Sequence, residues 1–229
     1  MPPHVLPSRE IATDALLPGD PGRALLLAQQ LLTKPLMSNH NRGLWGYTGE
    51  TDDGHPLTVQ STGMGGPSAA IVLHELAELG VRRAIRVGTC GAVDESLQLG
   101  DLLRVEAALP EDGVSKALGD GRAVPADPAL LERLESLGAG TPVTAVTTDF
   151  FYEYDDSPRR AWYAAGAGAV EMEACALFTL GPRLGVAVAC LLLVTDVFPG
   201  GERLRIEPER LESAVQEMGR AAAHALTLR

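Results

Sequence analysis

Two carboxylates, Glu171 and Glu173, flank Met172 in the stretch GAVEMEACALF, which is otherwise apolar and small. Buried acidic side chains are costly unless something pairs with them. Two so close could work as an acid–base pair or could neutralise a buried cation. At strand spacing they point to one face; if a helix has already begun, they diverge. A candidate cation lies in RAIRVGTCGAV, where Arg86 stands inside an apolar strand between Ile85 and Val87. A charge there must be hydrogen-bonded, either to a ligand or in a structural pair with Glu171 or Glu173. Gly88 and Gly91 allow close approach to the backbone, and Thr89 adds a hydroxyl beside them. A third carboxylate, Asp196, ends the apolar run LLLVTD, as an acid or as an ordinary turn or cap residue.

Two further arginines sit at glycine-containing turns. LLPGDPGRA puts Gly19 and Gly22 around a turn that opens a helix, with Arg23 in its first turn. Backbone N–H groups at such a turn can bind an anion, or the segment is simply a strand–helix connection. NRGLWGYTGE puts Arg42 ahead of a strand, where a plain loop arginine is the alternative. Neither PGDPGR nor STGMGG matches a Walker A or dinucleotide fingerprint, so free phosphate is a better fit than a nucleotide.

The elements that must position these residues alternate along the chain. Strands are expected at DALL, LTVQST, RAIRVGT, DLLRVEAA, TPVTAVTT, AGAVEM and VAVACLLLVTD. Helices are expected at GRALLLAQQLL, PSAAIVLHELAELG, DPALLERLESLG capped by Asp127, SPRRAWYAAG, EACALFTLGPRLG and the long terminal EPERLESAVQEMGRAAAHAL. PEDGVSKALGDGRAVPAD reads as a loop or insertion. Alternation with near-continuous apolar strands implies an α/β fold, one domain over 1–229, with a mostly parallel central mixed sheet flanked by helices. Ligands bind beyond the carboxyl ends of such strands, where the motifs above fall.

The chain has 229 residues, enough for a sizeable core. Its net charge of −11 argues against nucleic-acid and anionic-membrane binding, so an anionic substrate must be held by a few placed arginines. Three cysteines, Cys90, Cys175 and Cys190, form no CxxC pair and fit reduced structural thiols in a cytoplasmic protein. MPPHVLPSRE lacks a basic segment followed by an apolar one, so no signal peptide is expected, and the longest apolar run is too short to span a bilayer.

Taken together, PHV, PGDPGR, RGLWGYTG, STGMGGPS, RVGTCGAV, VEMEA and VTD follow the order found in the hexameric nucleoside phosphorylases. The chain resembles this nucleoside phosphorylase-I superfamily of purine nucleoside and uridine phosphorylases over nearly its whole length. The resemblance implies reversible phosphorolysis of the N-glycosidic bond of purine (deoxy)nucleosides, giving the free base and (deoxy)ribose 1-phosphate. Phosphate would be held by Gly19, Arg23, Arg86, Thr89 and Arg42, the last supplied by a neighbouring subunit. His4, also from the neighbour, would reach the sugar 5′-hydroxyl. Met64, Met172 and Glu173 would form the ribose site, with Glu171 near base and sugar. Phe151 would pack on the base, with Phe150 or Tyr152 as alternatives. The partners implied are nucleoside, phosphate and further copies in a homohexamer built as a trimer of dimers. No metal and no cofactor are implied beyond inorganic phosphate as co-substrate.

The same resemblance makes Asp196 the donor of a proton to purine N7, a role that needs a desolvated setting. An arginine further on would assist it: Arg210 is the best match, with Arg203 and Arg205 as rivals. Uridine phosphorylases use a Gln and an Arg on an inserted loop. Here FYEYDDSPRRAWYAAGAGAVEME is short and has no Gln, and Arg159 and Arg160 read as exposed helix residues. Purine is therefore favoured. The alternatives are a uridine phosphorylase, or a nucleosidase of the same fold hydrolysing methylthioadenosine or adenosylhomocysteine.

Overall fold

The computed structural model describes residues 2–119, 121–152 and 157–228. Asp120, inside the expected loop, and residues 153–156, inside the stretch read for its missing glutamine, lie outside the described residues.

The strands are β1 Asp14–Leu17, β2 Thr33–Asn39, β3 Gly46–Glu50, β4 Pro56–Gln60, β5 Arg83–Ala92, β6 Leu102–Pro110, β7 Val124–Pro125, β8 Thr141–Thr147, β9 Ala169–Glu171, β10 Ala187–Val197 and β11 Leu204–Arg205. The helices are α1 Pro21–Leu31, α2 Gly66–Glu78, α3 Gly113–Leu118, α4 Pro128–Ser136, α5 Ser157–Ala164, α6 Ala174–Leu184 and α7 Pro208–Thr227. The expected elements are all present. Strand β2, which runs as TKPLMSN with little apolar alternation, gave no periodic signal. The stretch read as a loop holds α3, whose N-cap Asp112 accepts from the Ser115 amide, and the short β7.

Parallel pairing is confined to β4–β1–β5–β10 and to β6–β8–β9. Antiparallel pairs join β10 to β6 and β5 to β9. Those two pairs close β5–β10–β6–β8–β9 into a ring, from which β1, β4, β3 and β2 extend as an open sheet.

Alternation sorts the core into two layers. On β10, Cys190, Leu192 and Val194 join one cluster with Leu73 and Leu76 of α2 and Leu177 and Phe178 of α6. Leu191 and Leu193 join the other, with Leu27 of α1, Leu134 of α4 and Met218 of α7. Ile85 and Val87 of β5 belong to this second layer, so Arg86 between them projects to the opposite side, toward α2 and α6. Burial pushes the three free thiols up, Cys175 to about 11, so they stay protonated fillers of the core.

Candidate active site

A cleft of about 670 Å³ opens where the strands end, within the range of small-molecule sites. Gly19, Arg23, Met64, Arg86, Thr89, Phe151, Glu171, Met172, Glu173 and Asp196 all line it.

Arg86 is the centre of its floor. The side chain is 3% exposed, and Nε and Nη2 each lie 3.0 Å from Glu171 Oε2. Nη2 also lies 2.5 Å from Glu173 Oε2. Both carboxylates are thus structural partners of one guanidinium. Burial alone would push Arg86 down, but Glu173 and Glu171 outweigh it and hold its value above the ordinary one. Among the described residues, Arg86 Nη1 has no hydrogen-bond partner. A buried cationic N–H left open is expensive unless a ligand takes it. Gly88 makes room for this arrangement, because a β-carbon there would lie 2.7 Å from Arg86 Cζ.

The two carboxylates do different work. β9 ends at Glu171, and the chain turns into α6 at Ala174. Glu171 folds forward over that helix start, accepting from the amides of Glu173 at 2.8 Å and Ala174 at 2.9 Å, and from the Thr147 hydroxyl. It satisfies donors that a helix N-terminus otherwise leaves open. Its side chain is fully buried. Glu171 lines the cleft, and its oxygens are engaged by Arg86, Thr147 and the start of α6. Glu173 keeps acceptor capacity. Its Oε1 takes the Gly65 amide at 2.6 Å, offered by a backbone at φ +86° that glycine tolerates, and each oxygen retains a lone pair. Burial pushes Glu173 above its ordinary range, with Arg86 pulling the other way and Glu171 adding to the rise.

Arg23 reaches the cleft from the first turn of α1. Its amide is taken by N-cap Asp20 at 2.7 Å, so only its side chain is left to meet an anion. Burial holds the guanidinium below its ordinary value despite Asp20, and the like charge of Arg86 adds to the depression. An anion between Arg23 and Arg86 relieves that repulsion.

At the other end, a bulge in β10 between Val194 and Asp196 re-aims the chain. Asp196 Oδ1 accepts from Arg203 Nε at 2.8 Å and lies 3.2 Å from Arg205 Nε, and Oδ2 lies 2.8 Å from the Thr195 hydroxyl. Strand β11 returns antiparallel and sets Arg205 opposite Asp196. The expectation for Arg210 is corrected: it does not line the cleft and packs instead at Gly100, whose β-carbon would lie 2.7 Å from Arg210 Nη2. A helix start at Pro208 carries Arg210 away on α7, whereas Arg203 and Arg205 lie on the returning loop and strand.

A model of the phosphorylase superfamily matches residues 13–228. The chain belongs to the phosphorylase superfamily. Among curated members, the purine nucleoside phosphorylase DeoD-type of Clostridium novyi (strain NT) is 36% identical over 201 residues, 84% of this chain and 86% of that one. The DeoD-type protein of Alkaliphilus metalliredigens (strain QYMF) is 39% identical over 202 residues, again 84% and 86%. A solved structure, the uridine phosphorylase from Vibrio fischeri ES114, superposes with a TM-score of 0.84 at 27% identity, covering 98% of this chain and 95% of that one.

In this superfamily member, His4 and Arg42 stand outside the cleft of their own chain. His4 Nδ1 is 2.6 Å from Glu75 Oε1, and Glu75 also takes the amides of His4 at 3.0 Å and Val5 at 2.5 Å. Arg42 adopts φ 56°, uncommon for a side chain that is not Gly, Asn or Asp. The adjoining Asn41 ties its turn to the His4 carbonyl at 2.9 Å, so the two residues share one surface.

Phe151, expected to pack on the base, and its alternatives Phe150 and Tyr152 reach the cleft, whereas Phe198 and Arg159 are lining residues that the sequence did not assign to the site. Arg203 stacks 4.7 Å from the Phe151 centroid. Arg159, read as an exposed helix residue, also lines the cleft, 3.9 Å from the Phe198 centroid.

Proposed function

We propose that the protein is a purine-nucleoside phosphorylase. It exchanges the purine of a (deoxy)nucleoside for inorganic phosphate, releasing free base and (deoxy)ribose 1-phosphate. The observation that carries this reading is the open Nη1 of buried Arg86 beside Arg23. Arg86 is already paired with Glu171 and Glu173, so what stays open is one N–H donor, and phosphate is the acceptor that also sits favourably beside Arg23 and that a hydrolase using water does not need. The DeoD-type relatives support purine as the base.

The reaction passes through an oxocarbenium-like sugar, positive at C1′, while the base departs with its electron pair. Arg86, Arg23, Thr89 and the Gly19 turn hold phosphate at the sugar. Glu173 accepts from the sugar hydroxyls, and Met172 and Met64 pack beneath them. Phe151 covers the base. Asp196 protonates N7, and Arg203 stabilises the charge left on Asp196 as the proton leaves, an electrostatic term already in place before reaction.

His4 and Arg42 serve the site of a neighbouring copy. Support comes from their shared surface outside their own cleft. A dimer is then the smallest competent unit, and a hexamer is three of these. The buried free thiols support a reducing, cytoplasmic setting.

Base release from inosine, guanosine, adenosine and uridine, each with and without phosphate, tests the reading. Phosphate-dependent release from a purine nucleoside supports it. Equal rates without phosphate make the protein a nucleosidase, and preference for uridine makes it a uridine phosphorylase.

A further inference from the structure

Thr195 is the residue left over by the bulge in β10, between the pairs Val194–Cys90 and Asp196–Gly91. Its carbonyl accepts from the Ile206 amide at 2.9 Å, which ties the bulge to the segment after β11. The residue is 4% exposed and lines the cleft. Its hydroxyl has two acceptors in reach, Asp196 Oδ2 at 2.8 Å and the Cys90 carbonyl at 3.2 Å. A hydroxyl carries one proton, so it donates fully to only one of them.

The reaction as described gives Thr195 no task. Asp196 Oδ1 faces Arg203 Nε at 2.8 Å and Arg205 Nε at 3.2 Å. Guanidinium groups only donate, so a carboxyl proton finds no acceptor on that side. The proton of the acid form therefore belongs on Oδ2, the oxygen beside Thr195. While Oδ2 carries it, the Thr195 hydroxyl donates to the Cys90 carbonyl instead. Once Oδ2 is a carboxylate oxygen, it is the nearer and the charged acceptor, and the bond to it is the stronger one. We infer that Thr195 is a positioning residue for the proton transfer, its hydroxyl turning from the Cys90 carbonyl to Asp196 Oδ2 as that oxygen gives up its proton. The inference rests on the phosphorolysis reading above. As the bond from C1′ to the base breaks, its electron pair passes into the purine and the Oδ2 proton goes to N7. Thr195 keeps its own proton and only redirects it. The charge left on Asp196 then gains a bond at Oδ2 to match the arginines at Oδ1.

The test is kcat and both KM values, with inosine and with adenosine against phosphate. The proteins compared are the unaltered chain, Thr195→Val, Thr195→Ser, Asp196→Asn and the double variant of Thr195→Val with Asp196→Asn. Thr195→Val keeps the branched shape and removes the hydroxyl. It should lower kcat about tenfold on the faster nucleoside, the scale of one charge-assisted hydrogen bond, with both KM values nearly unchanged. Thr195→Ser should recover most of the loss. In the Asp196→Asn background no carboxylate forms, so Thr195→Val should lower kcat little further. Three results overturn the inference and leave phosphorolysis standing: an unchanged kcat in Thr195→Val, a Thr195→Ser as slow as Thr195→Val, or the same tenfold loss in both backgrounds. An Asp196→Asn as fast as the unaltered protein does so too. Where Asp196→Asn is too slow to show a further loss, the serine rescue and the split between kcat and KM decide. No phosphate-dependent cleavage of either nucleoside overturns the phosphorolysis reading, and the inference with it.

Discussion

Arg203 Nε donates to Asp196 Oδ1 at 2.8 Å, bridging the loop that follows β10. The contact, with Arg205 Nε 3.2 Å from the same oxygen, couples Arg203 and Arg205, rather than Arg210, to the proposed acid. Asp196→Asn should lower kcat for purine nucleosides by about a hundredfold or more, the usual scale for a lost general acid, with KM for phosphate nearly unchanged. Arg203→Ala should lower kcat by a smaller factor, whereas Arg210→Ala should leave it near that of the unaltered protein. Steady-state rates with each variant decide the assignment, and an Arg210→Ala loss as large as that of Arg203→Ala would refute it.

Arg86→Ala removes the proposed phosphate anchor and also strands Glu171 and Glu173 in the interior. Breaking a buried pair of this kind costs about 3–5 kcal/mol of stability, so thermal unfolding and phosphate affinity should fall together. Gly88→Ala separates the two effects. The added carbon pushes against the guanidinium and against Leu192 Cδ2, at 3.0 Å, while every charge remains. Its KM for phosphate should rise clearly, and a normal phosphate dependence would show that the Arg86 position is not used.

Glu171 and Glu173 should part company on substitution. Glu171→Gln weakens the cap of α6 and one half of the Arg86 pairing, so its main effect is a lower unfolding midpoint. Glu173→Gln keeps the shape but loses the charged acceptor, costing about 2 kcal/mol of transition-state stabilisation, read as a drop in kcat/KM for nucleoside. Reversed phenotypes would exchange the two roles.

Burial would push Glu75 up, but the hydrogen bonds from Val5 and His4 outweigh it and hold the carboxyl below its ordinary 4.5. A depressed acid contributes stability that is fully present above the ordinary value and is lost as pH falls through the folded one. The N-terminal segment should therefore stay docked near neutrality and loosen below about pH 4.5. Comparing unfolding midpoints of the unaltered protein and Glu75→Gln across pH checks this. The gap between them should close in acid, and a gap constant with pH would rule out the clamp.

The parts of this molecule that were legible in the sequence are those whose signals are local. Strand β10 announced itself as an unbroken apolar run, α4 by its Asp127 cap and Pro128, and the odd position of Arg86 by its apolar neighbours. Strand β2 was not legible because it is mostly exposed and, among the described residues, pairs only with β3. The cap made by Glu171 was not legible because a carboxylate folding forward onto its own helix looks, in sequence, the same as one facing a ligand. Arg159 was read as exposed because its helix is short and polar, and only the return of its segment over Phe198 brings it to the cleft, while Arg203, named as a rival to Arg210, is singled out by its contacts with Asp196 and Phe151.

The closed ring of β5, β10, β6, β8 and β9 divides the labour of the cleft. Arg86 and Asp196 ride on strands of that ring, and Glu173 follows one of them within two residues, so backbone pairing fixes their spacing. The aromatic and arginine side chains at the base end ride on connections outside it. Evolution or an engineer can therefore redraw the end of the cleft proposed to meet the nucleobase by exchanging those connections, while the half proposed to hold phosphate and sugar is inherited intact.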